Sequence, residues 1–141
     1  GRRSNPRGVR LLRFARNEEK KVSYMLTKVF DFTYEERIMI KVSVLYPNEE
    51  GKKFDIDYNT GKHMSLVHSR LDSMGLLRAE VERGLSSADP SAPAPFVAIN
   101  VLYFNTVEEV HEAFKTHGRE IMGDVANYTD TSPQIQISEI V

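Results

Sequence analysis

Apolar residues follow two different periods along the first half of this chain, and the change between them predicts the order of its elements. Between residues 40 and 46 apolar side chains occupy every second position, which is typical of a β-strand. Further on, apolar residues recur at helical spacing and predict an amphipathic helix: Met64, Val67, Leu71 and Met74. Asp55 or Asp57 can cap the start of this helix, and Gly75 can end it.

The second half of the chain repeats this order. Residues 76–85 alternate in a way that predicts a half-exposed or edge strand, whereas residues 96–104 form a strand with apolar side chains on both faces. Thr106 is a good N-cap for a second amphipathic helix, in which Gly118 marks an expected break. Residues 124–133 are expected to be irregular, and residues 134–141 to form the last strand. The Ser/Ala/Pro-rich segment 86–95 is either a binding lid or a surface insertion.

The resulting β-α-β-β-α-β order predicts an α+β fold of the ferredoxin-like type. Its four strands form an antiparallel sheet with both helices on one face. The other face would then be bare, although the strand at residues 96–104 is apolar on both sides. Because large exposed apolar patches mark interfaces, we expect a second copy to cover this face, giving a two-fold homodimer that pairs sheet against sheet.

Composition narrows the class of protein. The chain has 141 residues, enough for one domain with a substantial core. No apolar run approaches the roughly 18 residues of a membrane span, so we expect no membrane partner. Cysteine is absent, which excludes disulfides and thiolate chemistry and fits a cytoplasmic protein.

Charge is distributed unevenly. Residues 1–37 carry ten of the 19 basic residues and only five of the 20 acidic ones, so the rest of the chain is acidic. An acidic body argues against nucleic acid as a partner. We expect residues 1–38 to be a basic extension, either translated upstream sequence that precedes a start at Met39 or a disordered arm. Residues 39–141 then form the domain.

One histidine is well placed for chemistry. His63 lies near the start of the first predicted helix, four residues before Val67 and beside its apolar face. An imidazole exchanges protons near neutral pH, so His63 is a candidate general acid or base. The alternative is a partly buried histidine bonded to a backbone carbonyl. Phenol groups that could orient it or a substrate oxygen are those of Tyr46, Tyr58, Tyr103 and Tyr128.

Asn100 is the strongly polar residue on the strand with two apolar faces. A buried amide needs hydrogen-bond partners, which here are a ligand, a structural group or water in the dimer interface. His117, next to the expected helix break, is predicted to cap backbone carbonyls. His68 and His111 are expected on solvated helix faces.

Metal and cofactor sites are not indicated. His63 and His68 are five residues apart, and His111 and His117 are six apart, so neither pair has the i, i+4 spacing of a zinc-binding helix. No glycine-rich phosphate-binding run follows a strand. We therefore expect no metal and no cofactor. The aromatic strand motif of RNA-recognition domains is incomplete as well.

Eight runs of the chain are informative when they are taken together: IKVSVLYP (40–47), FDIDY (54–58), KHM (62–64), LV (66–67), HG (117–118), EIMGD (120–124), NYTD (127–130) and PQIQISE (133–139). In their order and spacing they resemble the EthD family of the dimeric α+β barrel superfamily, over about residues 39–141. The resemblance implies a ferredoxin-like subunit that pairs into a barrel and holds a pocket between sheet and helices. It also implies a role in degrading ethers or other small organic compounds, with the helix-one histidine of the family at His63.

The chain departs from the family pattern at three positions. Asn59 stands where relatives often carry an aromatic residue, and Ser65 and Ala126 stand where they tend to have proline. Loss of the aromatic side chain alters the usual pocket wall, which favours a different or more polar substrate.

These observations predict an EthD-like homodimer that binds a small organic compound. His63 is the expected acid/base of an oxidoreductase, isomerase or cyclase type of reaction. The residues expected to bind the substrate are Tyr46, Tyr58, Val67, Asn100 and Tyr128. The alternative is a non-catalytic accessory or ligand-carrier protein with the same pocket. A purely structural dimerisation module, the third possibility, would have no ligand-sized cavity.

Overall fold

Two helical segments pack on one face of a four-stranded sheet in the computed structural model, which describes residues 39–141. The prediction made for residues 1–38 lies outside the described residues. Strand β1 (Ile40–Pro47) leads into a short helix α1 (Ile56–Tyr58), a π-helical turn (Asn59–His63), helix α2 (Met64–Leu71) and a 3-10 turn (Asp72–Met74). Strands β2 (Arg78–Arg83) and β3 (Phe96–Phe104), helix α3 (Val107–Gly123), a second 3-10 turn (Val125–Asn127) and strand β4 (Gln134–Glu139) follow.

The sheet is antiparallel throughout, with the strand order β2-β3-β1-β4. Val44 of β1 lies opposite Asn100 of β3 on one side and opposite Ile135 of β4 on the other. Strands β2 and β4 form the two edges, which agrees with the half-exposed pattern expected for residues 76–85. The predicted α+β architecture, a four-stranded antiparallel sheet with two helices, is confirmed.

The main core lies between the sheet and the helices, where the alternating face of β1 and one face of β3 meet the apolar stripes of α2 and α3. Its buried members include Val42, Val44, Tyr46, Val67, Leu71, Ala98, Leu102, Phe104, Val110 and Ile121. Removing these apolar side chains from water supplies the main driving force for this arrangement.

The opposite face of β3 is only partly covered. Val101 and Tyr103 are buried there, and the guanidinium of Arg78 lies 4.2 Å from the centre of the Tyr103 ring. Val97 and Ile99 are half-buried. Apolar side chains on both faces of β3 are therefore shielded, but this outer face keeps apolar surface that a partner could cover.

Helix α3 corrects one expectation. It runs without a break from Val107 to Gly123, so Gly118 does not end a helix. A methyl group at Gly118 would lie 3.5 Å from the Phe114 side chain, an ordinary contact, and the packing of the helix stripe outweighs the low helix propensity of one glycine. His117 consequently lies within the helix and, among the described residues, makes no capping hydrogen bond.

The other histidine predictions are confirmed, because His68 and His111 are both exposed on their helices. None of the helices in the described part of the chain is long and apolar enough to cross a membrane.

Candidate functional site

An unusual helical turn positions the candidate histidine. The Asp55 side chain caps α1 by accepting a hydrogen bond of 3.0 Å from the backbone N–H of Tyr58. The chain then widens into the π-helical turn, in which Asn59 and His63 are buried while the three residues between them are exposed. Such wider turns are rare and recur at functional sites. Here the turn directs both an amide and an imidazole into the protein.

A small cavity lies between the sheet and the two helices. Its wall is formed by Val44, Tyr46, His63, Met64, Val67, Asn100, Leu102, Phe114, Ile121 and Met122. The interior measures about 20 Å³, room for a single water molecule, and the depression around it measures about 330 Å³ including space open to solvent.

Four of the residues expected at the site therefore share one wall: His63, Tyr46, Val67 and Asn100. Tyr58 and Tyr128 do not line the cavity but stand behind His63. The loop at residues 86–95 contributes nothing to the wall, so the cavity gives no support to its interpretation as a lid.

His63 is bonded to a carboxylate rather than to the backbone carbonyl considered from the sequence. Its Nδ1 lies 2.8 Å from Oδ2 of Asp124, the residue that follows helix α3, and the exposed fractions of the two side chains are 4% and 15%. The other carboxylate oxygen, Oδ1, accepts hydrogen bonds of 2.9 Å from the Tyr58 hydroxyl and from the Asn127 amide. Asp124 thus holds three groups from two parts of the chain.

The charge on Asp124 decides the tautomer of His63. Burial by itself would raise the pKa of Asp124, but hydrogen bonds from Asn127, His63 and Tyr58 outweigh burial and hold that pKa below its usual range. Since an ionised carboxylate can only accept, we assign the proton of the neutral imidazole to Nδ1. The other ring nitrogen, Nε2, then keeps a lone pair with which to accept a proton.

Two tyrosines form a short hydrogen bond beside the histidine. The hydroxyl oxygens of Tyr46 and Tyr128 are 2.5 Å apart, and the Tyr128 ring lies 4.7 Å from the imidazole of His63. Burial raises the pKa of Tyr46 to about 12, and burial together with the neighbouring Tyr46 also raises the pKa of Tyr128. Both phenols therefore stay protonated at neutral pH. One of them donates its single hydrogen to the other, and only the accepting phenol keeps an O–H that it can donate elsewhere.

Tyr58 contacts both Tyr128 and Asp124. Its ring stacks on that of Tyr128 with the ring centres 5.8 Å apart. Its hydrogen bond to Asp124 raises the pKa of the Tyr58 phenol. Tyr58 and Tyr128 thus fix the imidazole and its carboxylate in place.

Two buried amides near the site are less well satisfied. The Nδ2 of Asn100 lies 3.7 Å from the Met64 sulfur, and its Oδ1 has no hydrogen-bond partner among the described residues. Asn59 is close enough to Tyr128 to lower the pKa of that phenol slightly against the effect of burial. Even so, neither polar atom of the Asn59 side chain makes a hydrogen bond of ordinary geometry within residues 39–141. Asn100 faces the helices, so water in an interface on the outer sheet face is not its partner.

Sequence reasoning missed Asp124 as a functional residue. It lies 61 positions from His63, in a stretch predicted to be irregular. The one available signal was its position at the end of the EIMGD run that resembles the EthD family. Among the described residues, no three histidine, aspartate or glutamate side chains converge as a metal site would require.

A solved structure of similar sequence supports the resemblance. An EthD-like protein from Ralstonia eutropha JMP134 is 43% identical, with a TM-score of 0.70, and the match covers 74% of this chain and 94% of that protein. The chain belongs to the EthD-like family.

Other structures share the fold of this EthD-like chain at lower identity. An ethyl tert-butyl ether (EthD) family protein from Bacillus halodurans C-125 is 20% identical, with a TM-score of 0.53, and the match covers 73% of this chain and 99% of that one. A dimeric ferredoxin-like protein from Jannaschia sp. CCS1 is 14% identical, with a TM-score of 0.51 and coverages of 72% and 98%. No family model and no curated protein matches the sequence.

Proposed function

We propose that this EthD-like protein binds a small, mostly apolar organic molecule in the cavity beside His63, and that His63 accepts or returns a proton during its conversion. One observation carries the proposal: a buried imidazole is oriented by Asp124 through Nδ1 and lines an apolar cavity with its other nitrogen unbonded within the described residues. Histidine in this state is a common general base.

The cavity wall supports an apolar ligand. Three of its ten side chains are polar, those of Tyr46, His63 and Asn100, and the rest are aliphatic, methionine or phenylalanine. Ligand sites are usually built this way, with a few polar groups that fix orientation. Because the interior holds only about one water molecule, a ligand must displace side chains. Met64 and Met122 are flexible, and Met122 and Phe114 are only half-buried, so they are the side chains expected to move.

Each polar group at the cavity has a different role in the proposed reaction. Nε2 of His63 acts as the proton acceptor, and Asp124 is a positioning residue that fixes the tautomer. The Tyr46 phenol remains protonated, and when Tyr128 donates the hydrogen bond between the two phenols, Tyr46 donates its own hydrogen to a ligand oxygen. A general base of this kind contributes roughly 10²- to 10⁴-fold in rate. The reaction would be of the isomerase, cyclase or oxidoreductase type within the degradation of small organic compounds, as the name of the Bacillus relative suggests for ethers.

A homodimer is part of the proposal. Leu45, Val97 and Ile99 leave half-buried apolar surface on the face of the sheet that the helices do not cover. A second copy placed sheet against sheet would bury it, and a stable interface needs roughly 800 Å² from each partner. The dimeric protein from Jannaschia has the same fold. Sedimentation equilibrium is expected to give twice the mass of one chain.

Proton exchange on a simple ketone tests the catalytic step. Cyclopentanone in D₂O loses its α-hydrogens slowly, and a base held beside it speeds the loss, which NMR follows directly. We expect the wild-type protein to accelerate exchange at least tenfold over a matched His63→Ala variant. Asp124→Asn should lose most of this effect, because an amide N–H facing Nδ1 forces the proton onto Nε2.

The control is His68→Ala, since His68 is exposed, bonds Asp72 and does not line the cavity. This variant should exchange cyclopentanone as fast as wild type. If cyclopentanone shifts the NMR signals of the cavity methionines but is not exchanged, the protein is the ligand carrier and not the catalyst.

A further inference from the structure

We infer that the natural ligand is an alcohol or a phenol, held by a hydrogen bond from its hydroxyl group to the side-chain oxygen of Asn100. This inference rests on the proposed function, because it names the chemical class of the molecule that enters the cavity. Asn100 then makes compounds with a hydroxyl group bind more tightly than ethers and ketones without one, which have no proton to donate.

The position of Asn100 makes its unpaired oxygen significant. The residue is 2% exposed, lies on strand β3 between Val44 of β1 and Val81 of β2, and lines the same cavity as His63. Its Oδ1 finds no donor in the described part of the chain. Buried side-chain oxygens are nearly always hydrogen-bonded in proteins, so an unpaired one at a cavity wall indicates a group supplied from within the cavity.

The neighbouring sulfur fixes which way the amide points. The Nδ2 of Asn100 lies 3.7 Å from Sδ of Met64, and a thioether sulfur can only accept a hydrogen bond. Rotating the amide by half a turn would bring two acceptors together and leave two N–H groups without partners. The orientation with nitrogen toward Met64 is therefore preferred, and the oxygen is the atom that remains unpaired.

A hydroxyl group matches this oxygen better than an ether or a ketone group does. It donates one hydrogen bond to Asn100 and keeps lone pairs that can accept one from Tyr46, which lines the same cavity and has its hydrogen available when Tyr128 donates the bond between the two phenols. An ether or a ketone can use only the second of these contacts. A single water molecule would also satisfy Asn100, and in that case replacing Asn100 would leave the preference for hydroxyl compounds unchanged.

Two isomers of C₅H₁₀O test how much the hydroxyl group contributes to binding. Cyclopentanol donates and accepts hydrogen bonds, whereas 2-methyltetrahydrofuran has the same atoms but can only accept. Their dissociation constants are measured by NMR on protein with ¹³C-labelled methionine methyl groups, of which Met64 and Met122 line the cavity. Because the isomers differ in hydration, the quantity compared between variants is the ratio of the two constants. Replacing Asn100 by leucine, which has a similar shape, should reduce the preference for cyclopentanol about three- to tenfold.

Thermal stability supplies a second readout. Asn100→Leu should raise the melting temperature, because it removes a buried acceptor that has no partner in the unliganded protein. Asn48→Leu is the matched control: the Asn48 amide donates a hydrogen bond of 2.9 Å to the Ala94 carbonyl, so its loss should lower the melting temperature and leave the isomer ratio unchanged. Asn100→Val, with a smaller side chain, replaces Asn100→Leu if that variant does not fold.

The outcomes separate this inference from the proposed function. If both isomers bind and Asn100→Leu weakens them equally, or if the variant is less stable with an unchanged ratio, Asn100 is satisfied by water or by the protein and the hydroxyl assignment is wrong. If neither isomer shifts the methionine signals at millimolar concentration, small-molecule binding itself is overturned.

Discussion

Two histidine–aspartate pairs in this protein have nearly the same bond length and very different surroundings. Nδ1 of His63 lies 2.8 Å from Asp124, and Nδ1 of His68 lies 2.9 Å from Asp72. The exposed fractions of the side chains are 4% and 15% in the first pair and 45% and 61% in the second. The first pair joins residues 61 positions apart, whereas the second joins His68 of α2 to the first residue of the 3-10 turn that follows, four positions on.

The difference shows that the distance between two polar groups does not by itself determine how much their contact stabilises the fold. In the exposed pair, water competes for both partners and solvent screens their charges, so the pair contributes little. In the buried pair, each partner that lost the other would remain in a poorly solvated place. The buried pair therefore holds His63 in one tautomer and one orientation, which the exposed pair cannot do for His68.

Removing the two carboxylates tests this comparison with the largest expected effect. Asp124→Ala leaves His63, Tyr58 and Asn127 without their shared acceptor and should lower the free energy of unfolding by about 3 kcal/mol. Asp72→Ala should lower it by about 0.3 kcal/mol. Urea denaturation followed by circular dichroism gives both values, and equal losses would contradict the comparison.

Low pH should remove the stabilisation that the buried pair gives to the fold. Hydrogen bonds hold the pKa of Asp124 in the folded protein below its ordinary value of 3.8, so the ionised carboxylate stabilises the fold. That contribution is complete above pH of about 4 and is lost as the pH falls through the folded pKa.

The measurement is the gap in unfolding free energy between wild type and Asp124→Asn, taken from about pH 6 down to about pH 2. The gap should shrink on the acid side, where protonated Asp124 resembles asparagine. Asp72→Asn should show a small gap throughout, because its pair is exposed. A gap for Asp124→Asn that stays constant or grows in acid would show that its ionisation does not stabilise the fold.

Salt should affect only the exposed pair, and this is the smallest expected effect. Raising the ionic strength from about 0.01 M to about 1 M shortens the screening length from about 30 Å to about 3 Å. The cost of Asp72→Ala, about 0.3 kcal/mol at low salt, should then fall toward zero, while the cost of Asp124→Ala should change little. Parallel urea titrations at the two salt concentrations measure both. A salt-sensitive Asp124 would indicate that water reaches the buried pair.

Much of the fold could be predicted from the sequence because it follows from local patterns. The strand at Phe96–Phe104 was delimited by its apolar run, and Asp55, Gly75 and Thr106 were recognised as helix ends from their side-chain chemistry. Gly75 adopts a φ of +104°, a conformation that glycine adopts without strain. The expected break at Gly118 was wrong because packing along α3 overrode local propensity.

The candidate site was predictable only in part. His63 stood out because its imidazole can exchange protons near neutral pH and lies beside an apolar stripe, and Tyr46, Val67 and Asn100 proved to share its cavity. Asp124 carries no local sign of its role, since nothing in its neighbours shows that the end of α3 reaches the π-helical turn. The histidine–aspartate pair that spacing does reveal, His68 and Asp72, is the exposed one.

The sequence by itself determined the main elements and their order, because apolar periodicity and caps act within a few residues of each other. The family was indicated separately, by the runs that resemble EthD proteins. The tertiary structure alone decided which polar groups meet. The contact of His63 with Asp124 joins residues 61 positions apart, and that of Tyr46 with Tyr128 joins residues 82 apart. The geometry of both contacts depends on how the helices pack on the sheet. The same packing decides which side chains are buried. The charge on Asp124, the tautomer of His63 and the unpaired oxygen of Asn100 are therefore properties of the folded molecule.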